Sequence, residues 1–158
     1  MEPELHADLE ALSFLVGTWI GEGKGEYPGI EPFRYGEELR FSHGGKAFLA
    51  YAQRTWSLDG DGPLHSESGF WRPQPGFGLE IVVAHPFGLV EVSEGSIEGR
   101  RITLASRHLV PTSTSDPVEG FSRAYDGTDG SLSYVCAMAS SGHSLRRHLE
   151  ARLIRTDD

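Results

Sequence analysis

The chain carries one cysteine, Cys136, in 158 residues, so no internal disulfide can form, and such usage fits a reducing compartment. No CxxC, CxxCH or paired Cys/His spacing occurs, which excludes covalent c-type haem attachment and the common structural zinc sites. Positive charge is scarce. Lys and Arg total 14 against 23 Asp and Glu, for a net charge of -9, and clustered basic residues are limited to short pairs such as Arg146-Arg147. A surface of that sign repels polyanions, so nucleic acid is not an expected partner. No stretch approaches the roughly 20 apolar residues needed to span a bilayer. The start, Met1-Glu2-Pro3-Glu4, lacks the basic and apolar segments of a secretion signal, and the expected location is cytoplasmic, away from membranes. HxxxH, HExxH and GxSxG spacings are also missing, which disfavours a zinc hydrolase and a serine hydrolase.

What is present is turn chemistry and alternation. Glycine numbers 20 and proline 9, and apolar residues make up 38% of the chain, a globular balance that favours short strands. The length suits one domain, taken as residues 1–158. Leu5, Leu9, Leu12 and Val16 recur at helical spacing and predict a short amphipathic helix over residues 4–16. Beyond it the period becomes two. Tyr35, Leu39 and Phe41 oppose Glu38, Arg40 and Ser42, while Leu79, Ile81 and Val83 alternate with Glu80, Val82 and Ala84. Dipeptides such as Pro28-Gly29, Gly44-Gly45, Asp59-Gly60, Pro75-Gly76 and Asp129-Gly130 cut the rest into hairpin-length pieces, roughly nine or ten strands in all. With no helical crossovers the sheet is antiparallel and up-and-down, and closure into a barrel removes its edges. A barrel somewhat larger than eight strands leaves room inside for a ligand.

The first strand, Gly17-Thr18-Trp19-Ile20-Gly21-Glu22-Gly23-Lys24-Gly25, places glycine at alternate positions. That implies a face where nothing larger fits, either a tight barrel closure or a close approach to a flat ligand. Trp19 reads as a core plug against the N-terminal helix. Cys136 shares parity with Tyr134 and Met138 and reads as a small buried hydrophobe. Among seven histidines, His43 and His85 fall at strand ends, His143 in a loop, and His65 either near a ligand or on a strand surface. Strict alternation puts His148 with Glu150 and Arg152 on a polar face, unless a bulge near Arg146-Arg147 turns it inward.

The runs GTWIGEGKGEYPGI, PFRYGEELRFSHGGKAFLAYAQRTW, HSESGFWRP, AHPFGLVEV, LSYVCAM and SLRRHLEARL closely resemble the nitrobindin family of haem-binding β-barrels, from about Leu9 to Leu153. Gly17, Trp19, Gly21 and Gly23 match that family's GxWxGxG signature. The resemblance implies a fatty-acid-binding-protein-like barrel of about ten strands, a b-type haem in one mouth, nitric oxide binding, and isomerisation of peroxynitrite to nitrate at ferric iron. His148 matches the axial histidine, and Leu64, His65, Ser93 and Met138 match pocket-lining positions, with Leu64 and Met138 giving an apolar distal side. Where the family carries a threonine after Tyr-Pro, this chain has Gly29, so the backbone N–H groups of Gly29 and Ile30 are the remaining donors there. A basic residue expected near Ser115-Asp116-Pro117 is absent, and Arg123 is the candidate replacement. The expected partners are small molecules only, with the chain as monomer or homodimer. The competing reading is a haem-independent carrier of a fatty acid or similar apolar molecule, which requires a basic residue inside the cavity, Arg54 or Arg123.

Overall fold

The computed structural model describes residues 2–156. A 3₁₀ helix, Ala7–Leu15, is followed by ten strands: β1 Gly17–Tyr27, β2 Ile30–Ser42, β3 Leu49–Ser57, β4 Pro63–Gln74, β5 Gly78–His85, β6 Leu89–Glu98, β7 Arg101–Pro111, β8 Gly120–Thr128, β9 Ser131–Ser140 and β10 His143–Arg155. Each strand pairs antiparallel with the next, and β1 pairs with β10, so the sheet closes as an up-and-down barrel. The alternation read from the sequence is the alternation observed. Tyr35, Leu39, Phe41, Leu79, Ile81 and Val83 face the interior and are all but inaccessible to water.

The helix differs from expectation in type and extent. It winds as 3₁₀ over Ala7–Leu15 rather than as α-helix over residues 4–16. Leu9, Leu12 and Leu15 are its buried residues, and a spacing of three is the 3₁₀ period, at which side chains eclipse. Leu5 is 38% exposed, so Leu15 takes the place the α-helical reading assigned to the Leu5 and Val16 ends of the stripe. Burying three aligned leucines against the barrel floor outweighs the poorer hydrogen-bond geometry of the tighter helix.

Trp19 plugs that floor. Its indole N–H donates to the Leu15 carbonyl at 2.9 Å, and the Arg155 guanidinium lies 4.4 Å above its ring. The glycines of β1 serve closure. A Cβ on Gly21 would stand 2.0 Å from the Arg152 carbonyl oxygen across the β1–β10 seam, and one on Gly23 would meet the Tyr35 ring at 2.4 Å. The space above Gly25 is likewise filled by the Phe33 ring. Of the two readings of the glycine face, tight closure is the one realised, and the aromatic rings lying over it line the cavity instead.

Candidate functional site

Trp19, Trp71 and the leucines fill the barrel at the helix end, and at the other end a cavity of about 320 Å³ remains. Its rim is made by the far ends of several strands. Phe33 comes from β2, Leu64 and His65 from β4, Phe121 from β8, Met138 from β9, and His148 with Leu149 from β10.

His148 reaches the cavity through a register change. On β10, Arg147 pairs with Ala137 and Leu149 pairs with Cys136, so two steps on β10 oppose one on β9 and His148 is the extra residue. This bulge resolves the parity conflict in the sequence, because it reverses alternation at one point and leaves Leu149, Ala151 and Leu153 facing inward. The imidazole is partly buried. Its Nδ1 lies 3.1 Å from the Glu26 carbonyl oxygen, and the Tyr27 ring meets it edge-on at 5.4 Å. A carbonyl can only accept, so Nδ1 carries the proton and donates, and in the neutral ring Nε2 keeps its lone pair. Burial lowers the His148 pKa below its ordinary value, against the pull of the Glu26 carbonyl, and so favours that neutral form. An imidazole held by a backbone acceptor, with its other nitrogen free in an aromatic-lined cavity, has the donor chemistry of a haem axial ligand.

Of the other residues singled out in the sequence, Leu64, His65, Arg123 and Met138 line the same cavity. Leu64 is 50% exposed and forms outer rim. Gly29 and Ile30 lie at the β1–β2 turn and are not among the cavity-lining residues, Gly29 holding a left-handed φ of 87° and Ile30 being exposed. Ser93 is buried but does not line the cavity, and its hydroxyl donates to Glu91 Oε2 at 2.6 Å. Arg54 points outward and pairs with Glu38 at 3.1 Å.

Beyond the apolar side formed by Leu64 and Met138, the interior is partly polar. Its deeper wall is a buried polar network. Arg123 donates to Glu67 Oε2 at 2.9 Å and to Glu91 Oε1 at 2.6 Å, and the Tyr51 hydroxyl donates to Glu67 Oε2 at 2.9 Å. His85, read from sequence as a strand-end residue, is 6% exposed, with Nε2 2.9 Å from Glu91 Oε1. His65 Nε2 lies 3.1 Å from Glu67 Oε1 and 3.4 Å from His85 Nδ1. Further along, Glu37 accepts from Tyr134 and from Gln53, both at 2.7 Å.

The two ends of the network titrate in opposite directions. Burial would raise Glu67 and Glu91, but the Arg123 charge and the imidazoles outweigh it, holding Glu67 well below the usual range and Glu91 at about 2. Glu37 lacks a paired cation at hydrogen-bond distance, and burial drives it up to about 7 against its two hydrogen bonds. Cys136 lines the cavity as a small hydrophobe, its thiol pushed up to about 12 by burial.

A ten-stranded closed barrel with an open, histidine-rimmed cavity defines the class of small-molecule-binding antiparallel barrels. Within it the chain belongs to the THAP4-like, heme-binding beta-barrel domain family, whose profile matches residues 8–155. A protein from Arabidopsis thaliana named peroxynitrite isomerase Rv2717c is 46% identical over 153 residues, covering 96% of this chain and 90% of that protein. Peroxynitrite isomerase 2 of Mycobacterium marinum is 45% identical over 163 residues, covering 98% of this chain and 99% of that protein. The crystal structure of Rv2717c from M. tuberculosis superposes with a TM-score of 0.90 at 38% identity, over 97% of this chain and 99% of that one.

Proposed function

We propose that this chain, as a single domain over residues 1–158, is a peroxynitrite isomerase that holds a b-type haem through His148 Nε2 in the barrel mouth. The observation that carries the reading is the His148 bulge, which presents a lone-pair nitrogen to the cavity while the Glu26 carbonyl fixes the tautomer. The names of the relatives over nearly full length support the activity. When bound, the haem supplies a Lewis-acidic iron at which the O–O bond of peroxynitrite can be exchanged for the third N–O bond of nitrate, and an open position for nitric oxide.

The chain's own residues position and shield. Phe33, Phe87, Phe121, Met138 and Leu149 remove water from the cavity wall. Glu26 orients His148 and Tyr27 packs against its edge, which limits ring rotation. Peroxynitrite anion and nitrate anion have the same atoms and charge, so the isomerisation needs no net proton from the protein. The buried carboxylates are therefore not required as general acids. Small molecules in a reducing cytoplasm, with no nucleic-acid partner, complete the reading.

The carrier alternative loses its anchor. Arg54 lies outside the barrel, and Arg123 is already matched by two carboxylates, so a fatty-acid headgroup would have to displace one of them. Reconstitution with haemin tests both readings. The wild type is expected to show a Soret band and to speed conversion of peroxynitrite to nitrate, and His148→Ala to lose both. An unchanged band in the variant removes His148 as ligand, and equal decay rates with and without haem remove the isomerase assignment.

A further inference from the structure

Three ligand-type atoms meet at the inner wall of the cavity, and the proposed haem chemistry uses none of them. His65 Nε2, Glu67 Oε1 and His85 Nδ1 form a triangle with edges of 3.1, 3.4 and 3.8 Å. We propose that these atoms bind a single zinc ion at the inner wall of the cavity, through residues other than the proposed haem ligand His148.

The edges suit a small tetrahedral ion. A tetrahedral ion with bonds of ~2.1 Å separates its ligand atoms by roughly 3.4 Å, within the span of the three edges. An octahedral ion at the same bond length needs edges of roughly 3.0 Å, shorter than every edge of this triangle. Three protein ligands leave one tetrahedral position open, and all three residues line the cavity, with His65 the most exposed of them.

The surroundings are those of a metal site. Glu91 Oε1 can only accept from His85 Nε2, so in the neutral ring His85 Nδ1 carries a lone pair on the triangle side, the carboxylate–histidine arrangement that orients zinc ligands. Glu67 is anchored through its other oxygen by Arg123 and Tyr51, leaving Oε1 as a monodentate donor. Without metal, a single N–H on His65 Nε2 must serve both Glu67 Oε1 and His85 Nδ1. One proton thus stands where a divalent ion would satisfy all three atoms. The nearest charges are Glu67 and Glu91 against Arg123, so the pocket is net negative before the ion enters.

The sequence spacing conceals the site. His65 and Glu67 are two apart on β4 and share a face, and His85 lies across from Glu67, one step beyond the Ser68–Ala84 pair.

The test is titration of the full, haem-free chain with Co²⁺, followed by Zn²⁺. One equivalent of Co²⁺ is expected to give the strong visible d–d absorption of a tetrahedral site, abolished by Zn²⁺. His65→Ala changes a partly exposed side chain and is expected to weaken binding at least tenfold while circular dichroism stays unchanged. His85→Gln is expected to do the same and to abolish the rise in unfolding temperature that Zn²⁺ gives the wild type, whereas His43→Ala leaves both intact. Absence of the tetrahedral Co²⁺ spectrum in the wild type, or equal affinity in His65→Ala, overturns the proposal. Loss of haem binding in His148→Ala with Co²⁺ binding retained would separate the two sites.

Discussion

Glu37→Gln isolates an interior carboxyl that, among the described residues, has no cation at hydrogen-bond distance. Glu37 is fully buried and its pKa stands at about 7 in the folded chain, against 4.5 as its ordinary value. A raised folded pKa means the native state binds more protons than the unfolded chain between those values, so stability is complete below 4.5 and declines as pH rises towards 7. At ~1.4 kcal/mol per unit, the decline attributable to Glu37 amounts to at most about 3 kcal/mol between pH 5 and pH 8. The substituted amide keeps the shape and stays neutral. Its oxygen can accept from Tyr134, and its NH₂ can donate to Gln53 Oε1 after an amide flip, an oxygen with no partner among the described residues. Urea unfolding of both proteins at pH 5, 6, 7 and 8 reads the difference directly, and because His148 and the surface groups are common to both, their contributions cancel. The variant is expected to match the wild type near pH 5 and to exceed it progressively above. A constant offset across the range would refute the argument, since Glu37 would then not change charge there.

Acid should act on the other end of the network. Glu67 and Glu91 are depressed by Arg123, so the stability they confer is present above 4.5 and is lost as pH falls towards about 2. Arg123→Ala leaves two buried carboxylates without their guanidinium counter-charge and is expected to cost about 3–5 kcal/mol and to move the acid transition, followed by near-ultraviolet circular dichroism, to higher pH. An unchanged acid midpoint would deny Arg123 that role. At the barrel seam, Gly21→Ala sets a methyl against the Arg152 carbonyl, which is backbone and cannot rotate away, and is expected to lose at least ~2 kcal/mol. Gly44→Ala, with nothing within 4 Å, is the control expected to stay within about 0.5 kcal/mol of wild type in the same denaturant assay.

Alternation carried most of the architecture, because a strand with one face in the core must repeat every two residues. Leu79, Ile81 and Val83 show it plainly. The same parity also held the polar network in view. His85 continues the Leu79–Val83 face, Glu37 lies between Tyr35 and Leu39, and Arg123 lies between Phe121 and Tyr125. Arg123 is legible as an interior candidate, but the carboxylates and His85 that meet it are not, since buried charges are stable only when partners from other strands meet them. The winding of the helix is ambiguous in sequence for a related reason. Leucines three and four apart fit both windings, and only the floor they pack against chooses between them.

The sequence alone determined that this chain is a closed antiparallel barrel, because turn residues and period-two hydrophobicity act locally and need no partner to be read. Tertiary structure decided what the interior does. The His148 bulge, the Arg123 carboxylate pairs and the His65–Glu67–His85 triangle depend on register between strands distant in sequence, and register follows from how the whole barrel shuts.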